Sequence, residues 1–328
     1  MLIILFLSIA LLAYLLERAR RKTYAVEPGL ALDIALPHQS EWELYHNDFS
    51  LCSKKTRVCL AELGIEHTSH HINLVETGGY ENISSHFLSI NPAATVPVLV
   101  HRGHPIYESH KQIEYAASQC PTDASLLPEE TEARQLMDYW VHKGALIGDD
   151  PIAHVQKTAA NAVPGMTLPA FAAMIRYIPV YKILVGFLFH RFRQRPLLFL
   201  MLKLRGLERL SGDARLARAM GRSAQAMATH LDELEELLKD GRSWIVGHQF
   251  TLADVGMMVI FERLREVDWL APFMDVRPCT ARYWQHLQAR PSYREAIDKH
   301  RHPLTEKGTA DIIEQKRINA EFAALFHP

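Results

Sequence analysis

The residues best suited to chemistry lie in one short loop that carries Ser50, Cys52 and Ser53. The alternation over 42–45 predicts a strand before this loop, and the spacing over 54–63 predicts a helix after it. A helix N-terminus presents unpaired N–H groups and a positive potential, which favour an anion. A hydroxyl there can donate a hydrogen bond to a thiolate, and a cysteine there becomes more acidic and nucleophilic. Simple capping of the helix by serine is the alternative interpretation.

A second candidate site begins where Pro97 opens an apolar, strand-like run. If the Val96–Pro97 bond is cis, the turn presents the N–H and C=O of Val96 outward, and an extended peptide can pair with it as an added strand. Further along, Glu108 and Ser109 begin the next predicted helix. A carboxylate there can pair with an ammonium, and a serine with helix N–H groups can hold a carboxylate, so the pair suits a free α-amino acid. A helix cap is the alternative.

These loops must be positioned by a mixed segment of about eighty residues in the order β-α-β-(α)-β-β-α, which is typical of one small sheet covered by helices. After Pro121 the pattern becomes helical throughout, with the clearest candidates at 129–157, 213–239, 251–267 and 277–289. The predicted fold class is therefore α/β followed by all-α.

The first residues form an apolar run from Leu2 to Leu16 that is followed at once by a basic cluster at 17–22. As a helix the run would span roughly 22 Å, short of the ~30 Å hydrocarbon core unless flanking side chains snorkel. The basic residues follow the run, so the positive-inside rule predicts a single-pass anchor with the main body in the cytoplasm. The alternative is that the segment is monotopic or is removed from the chain. In either case the main body would be cytoplasmic.

An unusual insert over 165–206 interrupts the helical part; it is rich in Leu, Phe, Ile and Met and is broken by Pro179. The favoured interpretation is a set of extra helices that cover the core. A second membrane-contacting surface, with Arg191, Arg193 and Arg195 facing headgroups, is the alternative.

The composition excludes several classes of function. The 328 residues carry a net charge of -1, so nothing points to nucleic acid as a partner. The 4 cysteines form no CxxC pair, which favours a reducing compartment. The sequence holds 18 histidines, but His67, His70 and His71 lack an accompanying cysteine or carboxylate set, so no metal site is expected. No Walker loop, Gly-x-Gly-x-x-Gly or Gly-x-Ser-x-Gly motif is present.

Four motifs in order carry a family resemblance. Ser-x-Cys-Ser at 50–53, Asn-Pro-x-x-x-Val-Pro-Val-Leu at 91–99 and Tyr-Glu-Ser at 107–109 resemble the thioredoxin-fold domain of cytosolic glutathione transferases. The segment 244–254 resembles the signature of that family's helical domain, with Thr251 and Asp254 forming a capping box. The resemblance covers roughly residues 42 to 302.

The resemblance implies a thioredoxin-like N-terminal domain and an all-helical glutathione transferase C-terminal domain. It omits the N-terminal segment, where the apolar run predicts a hydrophobic helix that precedes both domains. The expected organisation is a membrane anchor with its basic flank at 1–22, a linker at 23–40, a thioredoxin-like glutathione-binding domain at 41–121, an all-helical domain at 128–304 with the insert at 165–206, and a C-terminal helical tail at 305–328.

The resemblance also implies glutathione as cosubstrate. Val96, flanked by Thr95 and Pro97, should pair with the cysteinyl backbone, and Glu108 and Ser109 should hold the γ-glutamyl end. Thr95 stands where many members have Lys or Gln, so one contact to the glycyl carboxylate is in question.

The loop residues match two catalytic types. Ser50 matches the catalytic serine of the zeta and tau types and the catalytic cysteine of the omega type, whereas Cys52 matches the cysteine of the beta type. If Ser50 is the catalytic residue, which is favoured, the glutathione thiolate attacks an electrophile. If Cys52 is the catalytic residue, the reaction is thiol transfer.

The function expected from this resemblance is conjugation of glutathione to a hydrophobic electrophile. The electrophile would bind between the domains, against a helix that contains Tyr139, Trp140 and Lys143. The resemblance also implies a homodimer, because members of the family commonly form one. The insert and the anchor together resemble the ganglioside-induced-differentiation-associated branch of the superfamily. A non-catalytic membrane-organising or glutathione-sensing module is therefore the competing function.

Overall fold

The computed structural model describes residues 2–120, 125–148, 150–190 and 192–326, with one five-stranded sheet and many helices. The end of the predicted domain at 121 lies outside the described residues. The strands are β1 (Gly29–Leu30), β2 (Trp42–His46), β3 (Thr68–His71), β4 (Val98–His101) and β5 (His104–Tyr107). The helices of the sheet-containing part are α2 (Leu51–Glu62), α3 (Ser85–Leu88) and α4 (Ser109–Gln119), and α1 (Leu2–Arg20) precedes them.

The remaining chain is helical. Its helices are α5 (Thr131–Lys143), α6 (Ala159–Met166), α7 (Leu168–Ile175), α8 (Val180–Phe189), α9 (Gln194–Arg205), α10 (Ala214–Leu237), α11 (Leu252–Glu266), α12 (Leu270–Met274), α13 (Pro278–Gln288), α14 (Pro291–Ala296), α15 (Pro303–Ile318) and α16 (Ala320–Ala324). A thioredoxin-like sheet domain followed by a helical domain confirms the core of the predicted fold class.

The sheet has the strand order β1-β5-β4-β2-β3, with β2 and β3 parallel and the other pairs antiparallel. Alternate residues of β4 point to opposite faces, as the pleat of a strand requires. Leu99 packs with α2 and α4 in the main core, whereas Val98 and Val100 lie in a smaller core on the other face. The sheet is thus covered on both sides, and α2 and α4 begin shortly after β2 and β5 end.

The segment 23–40, predicted as a linker, adds a strand and covers the smaller core. The Ala31 N–H donates to the Pro105 carbonyl at 2.9 Å, and the Leu36 N–H donates to the Gly103 carbonyl at 2.8 Å. Its apolar side chains, including Leu36, pack against that core. The segment therefore closes the β5 edge of the sheet, which would otherwise expose unpaired backbone groups.

The helical domain is built around α11, most of whose side chains are buried. The helix α7 of the insert is almost wholly buried and packs against α15 and against the turn at 75–77. α7 thus covers the core, whereas α8 and α9 bury few side chains and expose Tyr181, Leu188 and Leu204, so the interpretation of the whole insert stays a prediction.

The N-terminal segment folds as α1, whose apolar side chains are mostly exposed. It contacts α8 through Tyr14 and Phe189, whose ring centres are 5.9 Å apart. Within the described ranges, no helix is both long enough and apolar enough to cross a membrane. The apolar run stops at Leu16, and the last turn of α1 carries Arg18 and Arg20. The predictions of a transmembrane helix and of a membrane-anchored, single-pass location are therefore wrong, and a membrane partner bound through the N-terminal helix is unsupported.

Candidate functional site

Ser50 is the N-cap of α2. Its Oγ accepts a hydrogen bond from the Ser53 N–H at 3.3 Å, so both the capping interpretation and the helix start are confirmed. Capping uses the oxygen of Ser50 as an acceptor and leaves its O–H free to donate. Ser53, in contrast, is fully buried and accepts from the Asn47 N–H at 3.2 Å. Ser50 is therefore the serine of this loop that can meet a ligand.

Cys52 is the second residue of α2, half-buried and with a free thiol. Its position in the first turn puts the thiol in the positive potential of the helix end. Both residues that the sequence proposed for the chemistry thus lie one helical turn or less apart.

Asn47 shapes the loop, and sequence reasoning gave it no role. Its Oδ1 accepts from the N–H groups of Phe49 and Ser50 at 3.0 and 3.2 Å. Its Nδ2 donates to the Ile72 carbonyl and to Thr77 Oγ1, both at 2.9 Å. The signal that could have identified it is an asparagine between a strand and a helix, a common side-chain-stabilised turn.

The Val96–Pro97 bond is cis, as the sequence hypothesis required. Thr95 is exposed and Val96 half-buried, whereas Pro97 is buried. Neither the N–H nor the C=O of Val96 has a hydrogen-bond partner within the described parts of the chain. Gln112 of α4, which the sequence did not single out, donates to the Pro97 carbonyl at 2.9 Å and fixes the turn. An unpaired main-chain donor and acceptor at one residue can pair with an extended peptide.

Glu108 and Ser109 begin α4, with Glu108 at a positive φ of 66°. Ser109 is buried, and Glu108 is exposed. Partial burial nevertheless raises the pKa of the Glu108 carboxyl, an effect that the charge of Lys55 opposes. The two residues thus lie side by side at the N-terminus of α4.

Lys55 lies beside Ser109 and was not proposed from the sequence. Its Nζ donates to the Gly144 carbonyl at 2.6 Å and lies 3.5 Å from Ser109 Oγ. Burial lowers the pKa of Lys55, and the charges of Cys52 and Glu108 oppose this shift. The ammonium therefore lies near both candidate elements, the start of α2 and the start of α4.

The loop is also held by the helical domain. Arg263 of α11 donates to the Phe49 carbonyl, and its Nε donates to Glu266 at 2.8 Å. Lys54, next to Lys55 in sequence, forms an ion pair with the same Glu266. These charged groups are all buried, so the seam between the two domains is fixed by charge-assisted hydrogen bonds.

The predicted lining helix is α5, and its residues differ in accessibility. Trp140 is buried in the core and cannot line an open cleft, because the period of α5 turns it inward. Tyr139 is exposed, and Lys143 forms an ion pair with Glu233 at 2.8 Å. The contacts of Lys55 with Gly144 and Ser109 place the end of α5, rather than Trp140, beside the start of α4.

Among the described residues, one group could hold a metal ion, made of His46, Asp48 and His300. Both ring nitrogens of His46 have partners, since Nδ1 lies 3.0 Å from Arg57 Nη1 and Nε2 lies 2.6 Å from Ser69 Oγ. Burial opposes ionisation of Asp48, but hydrogen bonds with His300 and His71 outweigh it and hold the pKa of its carboxyl well below the usual range. The absence of a metal site stays a prediction.

Comparisons with known proteins agree with this geometry. Residues 49–119 match the family model for the glutathione S-transferase N-terminal domain, and residues 213–286 match the model for the C-terminal domain. The chain is 27% identical over 263 residues to glutathione S-transferase TCHQD of Arabidopsis thaliana, covering 79% of this chain and 90% of the relative. It is 24% identical over 266 residues to the tetrachloro-p-hydroquinone reductive dehalogenase of Sphingobium chlorophenolicum, covering 78% and 95%.

Solved structures show the same fold. The beta-etherase LigF from Sphingobium sp. strain SYK-6 superposes with a TM-score of 0.62 at 20% identity, over 79% of this chain and 100% of the other. Glutathione transferase F7 from Populus trichocarpa superposes with a TM-score of 0.54 at 17% identity, over 79% and 99%.

Proposed function

We propose that this chain, which combines the N-terminal and C-terminal domains of the glutathione S-transferase superfamily, activates the thiol of glutathione for attack on a hydrophobic electrophile. The observation that carries the proposal is Ser50, which caps α2 through its oxygen and keeps its O–H free at the positive end of the helix. A thiol placed there meets a hydrogen-bond donor and a favourable potential, and both stabilise its thiolate.

Glutathione is proposed to bind as an extended peptide across the two loops. The main chain of Val96, unpaired within the described residues, would bond to the cysteinyl unit, with Pro97 and the exposed Thr95 on either side. Glu108 would pair with the α-ammonium of the γ-glutamyl end, and Ser109 with its carboxylate. This arrangement would direct the sulfur towards the start of α2.

The reaction follows from that pose. The glutathione thiol loses its proton to solvent, and the thiolate accepts a hydrogen bond from Ser50. The sulfur then forms a bond to an electrophilic carbon, and the leaving group departs with the electron pair of the bond that breaks. The electrophile is proposed to bind between the domains, beside the end of α5.

Cys52 supports a second candidate reaction, since its thiol is free, half-buried and in the first turn of α2. Its thiolate would attack the sulfur of a glutathionylated substrate, releasing the substrate thiolate and leaving a mixed disulfide between Cys52 and glutathione. A second glutathione thiolate would then regenerate Cys52 and release glutathione disulfide. The similarity to a reductive dehalogenase makes this alternative worth testing.

The test combines binding and turnover. Calorimetry with glutathione should give a saturable heat, and 1-chloro-2,4-dinitrobenzene should be conjugated faster than in buffer. Binding without turnover on this halide or on a glutathione mixed disulfide would instead support the non-catalytic, glutathione-sensing alternative. Absence of both binding and turnover would contradict any glutathione function. The homodimer and the likeness to the ganglioside-induced-differentiation-associated branch stay predictions, the first to be tested by light scattering.

A further inference from the structure

A small cavity lies where the end of α1 meets the end of α8 and the start of α9. Its volume is about 220 Å³, and its lining carries four cationic side chains, those of Arg18, Arg21, Lys22 and Arg193. No aspartate or glutamate is among the described residues that line it. Sites that enclose a whole drug-sized ligand measure roughly 300–1,000 Å³, so this cavity suits one charged group of a ligand. It shares no residue with the proposed glutathione site.

Arg21 fixes one wall of the cavity. Its Nε donates to the Glu17 carboxylate at 2.5 Å, and its guanidinium carbon lies 4.4 Å from the ring centre of Phe189. These contacts join the end of α1 to α8, since Phe189 is the last residue of α8. The basic residues that follow α1 and the arginine that precedes α9 are distant in sequence, so only the fold brings them to one cavity.

The other three cations differ from Arg21, because they form no ion pair with a carboxylate of the described residues. They are Arg18, Lys22 and Arg193. Arg18 Nη1 donates to the Tyr14 hydroxyl at 3.4 Å, and Arg193 Nη1 donates to the Phe187 carbonyl at 2.7 Å. A sphere of the cavity's volume is roughly 7.5 Å across, about the ~8 Å Debye length at physiological ionic strength, so charges on its walls repel one another with incomplete screening. An anion in the cavity would relieve this repulsion.

The start of α9 adds a positive potential to the same cavity. Arg193 is the N-cap of α9, and its side chain forms no capping hydrogen bond. The first turn of α9 contains no acidic residue. A helix N-terminus favours a capping acceptor or a negative charge, and a guanidinium group there is the opposite. Neutralising the helix dipole therefore accounts for Arg18, in the last turn of α1, but not for Arg193.

His190 supplies a neutral donor to the lining. Its Nδ1 accepts from the Phe192 N–H at 3.0 Å, and burial is the largest cause that lowers the pKa of the ring to about 4. The ring is therefore neutral near pH 7 and carries its hydrogen on Nε2, because Nδ1 is an acceptor. Thr23 also lines the cavity, and its hydroxyl can donate. The lining thus combines charged and neutral donors, which suits an anion with several oxygens.

We propose that this cavity binds a phosphate group, either as free phosphate or diphosphate or as the phosphate of a lipid headgroup. Guanidinium groups bind phosphate through paired, planar hydrogen bonds, and Lys22 adds a point charge. A phosphate monoester carries a charge of about -1.5 to -2 near pH 7, which offsets the cations better than a single carboxylate does. The inference does not depend on the proposed function, because the two sites are separate.

The test is calorimetric titration of the full chain at constant ionic strength with inorganic phosphate, diphosphate and the dicarboxylate malonate. We expect saturable binding of diphosphate at one site per chain, and binding of malonate that is weaker by about tenfold or more. Arg193→Gln should weaken diphosphate binding by about tenfold to a hundredfold, as for loss of a hydrogen bond between charged groups. Arg222→Gln is the matched control and should bind as the wild type, because Arg222 is exposed on α10 and does not line the cavity.

Two further variants separate the site from folding. Arg193→Lys keeps the charge but loses the planar fork, so it should recover part of the affinity. Lys22→Gln should weaken diphosphate binding in the same direction, and it takes the place of Arg193→Gln if circular dichroism shows that variant unfolded. Equal losses in Arg193→Gln and Arg222→Gln, or malonate bound as tightly as diphosphate, would reduce the effect to diffuse attraction of anions and overturn the site. Absence of saturable heat with every phosphate compound would also overturn it.

A soluble phospholipid distinguishes the two sources of the phosphate group. Dihexanoyl phosphatidic acid, kept below its micelle concentration, is titrated alone and in competition with diphosphate. Competition with an affinity at least tenfold above that of inorganic phosphate assigns the cavity to a lipid headgroup. Competition with an affinity no higher than that of inorganic phosphate assigns it to free phosphate compounds. Binding of this lipid without competition would place the lipid elsewhere and overturn the headgroup source.

Discussion

The guanidinium carbon of Arg263 lies 3.8 Å from the ring centre of Phe49, and Nη2 of Arg263 donates to the Phe49 carbonyl. Phe49 immediately precedes Ser50, so a residue of the helical domain holds the loop of the sheet domain. Glu266 accepts from Arg263 and from Lys54, which closes the network on α2. The position of the Ser50 hydroxyl therefore depends on contacts between the two domains.

Arg263→Ala should lower both stability and activity. The change leaves Glu266 with one of its two cations and the Phe49 carbonyl without its donor, so we expect a loss of about 3–5 kcal/mol in the free energy of unfolding. Urea unfolding measures it. Arg263→Lys should lose less stability but still lower kcat, because a lysine cannot stack on the ring and bond to the carbonyl and Glu266 together. Wild-type kcat in the lysine variant would contradict the proposed positioning of the loop.

Ser50→Ala and Cys52→Ala should have opposite consequences for two assays. Loss of the Ser50 hydroxyl removes the donor to the glutathione thiolate, so kcat/KM for the aryl halide should fall by about a hundredfold to a thousandfold. The pKa of the bound thiol, followed by thiolate absorbance, should rise. Cys52→Ala should spare conjugation and abolish only exchange with a glutathione mixed disulfide. If Cys52→Ala abolishes a thiol-transfer activity that Ser50→Ala spares, and conjugation is absent, Cys52 carries the chemistry.

Glu108→Gln should weaken glutathione binding without unfolding the chain. The variant loses the charge that pairs with the ligand ammonium, which is worth about 1.5–3 kcal/mol, or roughly tenfold to a hundredfold in Kd. Glu108→Gly should lose the same affinity and be at least as stable as Glu108→Gln, since glycine adopts a φ of 66° without strain. Calorimetry and thermal melts measure the two effects. Unchanged affinity in both variants would remove Glu108 from the proposed site.

Acidification should destabilise the fold through His46 and His230, which are both buried. Burial is the largest cause that lowers the pKa of His46 to about 2 and that of His230 to about 4. Below about pH 6.5 the unfolded chain binds protons that the folded chain excludes, so stability is full above that pH and falls as the pH falls. The two groups together should remove about 3–4 kcal/mol between pH 6.5 and 5. Urea unfolding across this range measures the loss of stability. His230→Gln should make the free energy of unfolding depend less on pH. An unchanged slope in this variant would contradict the role given to His230.

Asp254→Asn should destabilise the helical domain. The Asp254 carboxylate accepts from the Thr251 N–H at 2.8 Å, the Ile245 N–H at 3.0 Å and the Tyr283 hydroxyl at 2.7 Å. An asparagine has one oxygen and presents an N–H₂ to a donor, so we expect a loss of about 2–4 kcal/mol in the free energy of unfolding. Thr251→Ser keeps the cap and should change stability by less than about 0.5 kcal/mol. A stable Asp254→Asn would show that the capping box is dispensable.

Much of the fold could be predicted from local patterns. The capping box of Thr251 and Asp254 forms as expected, and α10 and α13 begin and end close to the predicted positions. The predicted helix at 129–157 stops at Lys143. The next residue is Gly144, where a Cβ would lie only 3.2 Å from the Cα of Gly256. The periodicity of the sequence does not reveal this close contact between helices.

The sequence predicted the order of the elements, the serine and cysteine at one helix start, and the turn at Pro97, because these depend on local spacing and backbone chemistry. It could not distinguish Lys54 from Lys55. Adjacent residues of a helix point about 100° apart, so each meets different neighbours. Lys54 meets Glu266, 212 residues away, and Lys55 meets Gly144, 89 residues away. The tertiary structure decides which buried lysine has an internal counter-ion and which one contacts only a carbonyl and a hydroxyl, because those partners are distant in sequence.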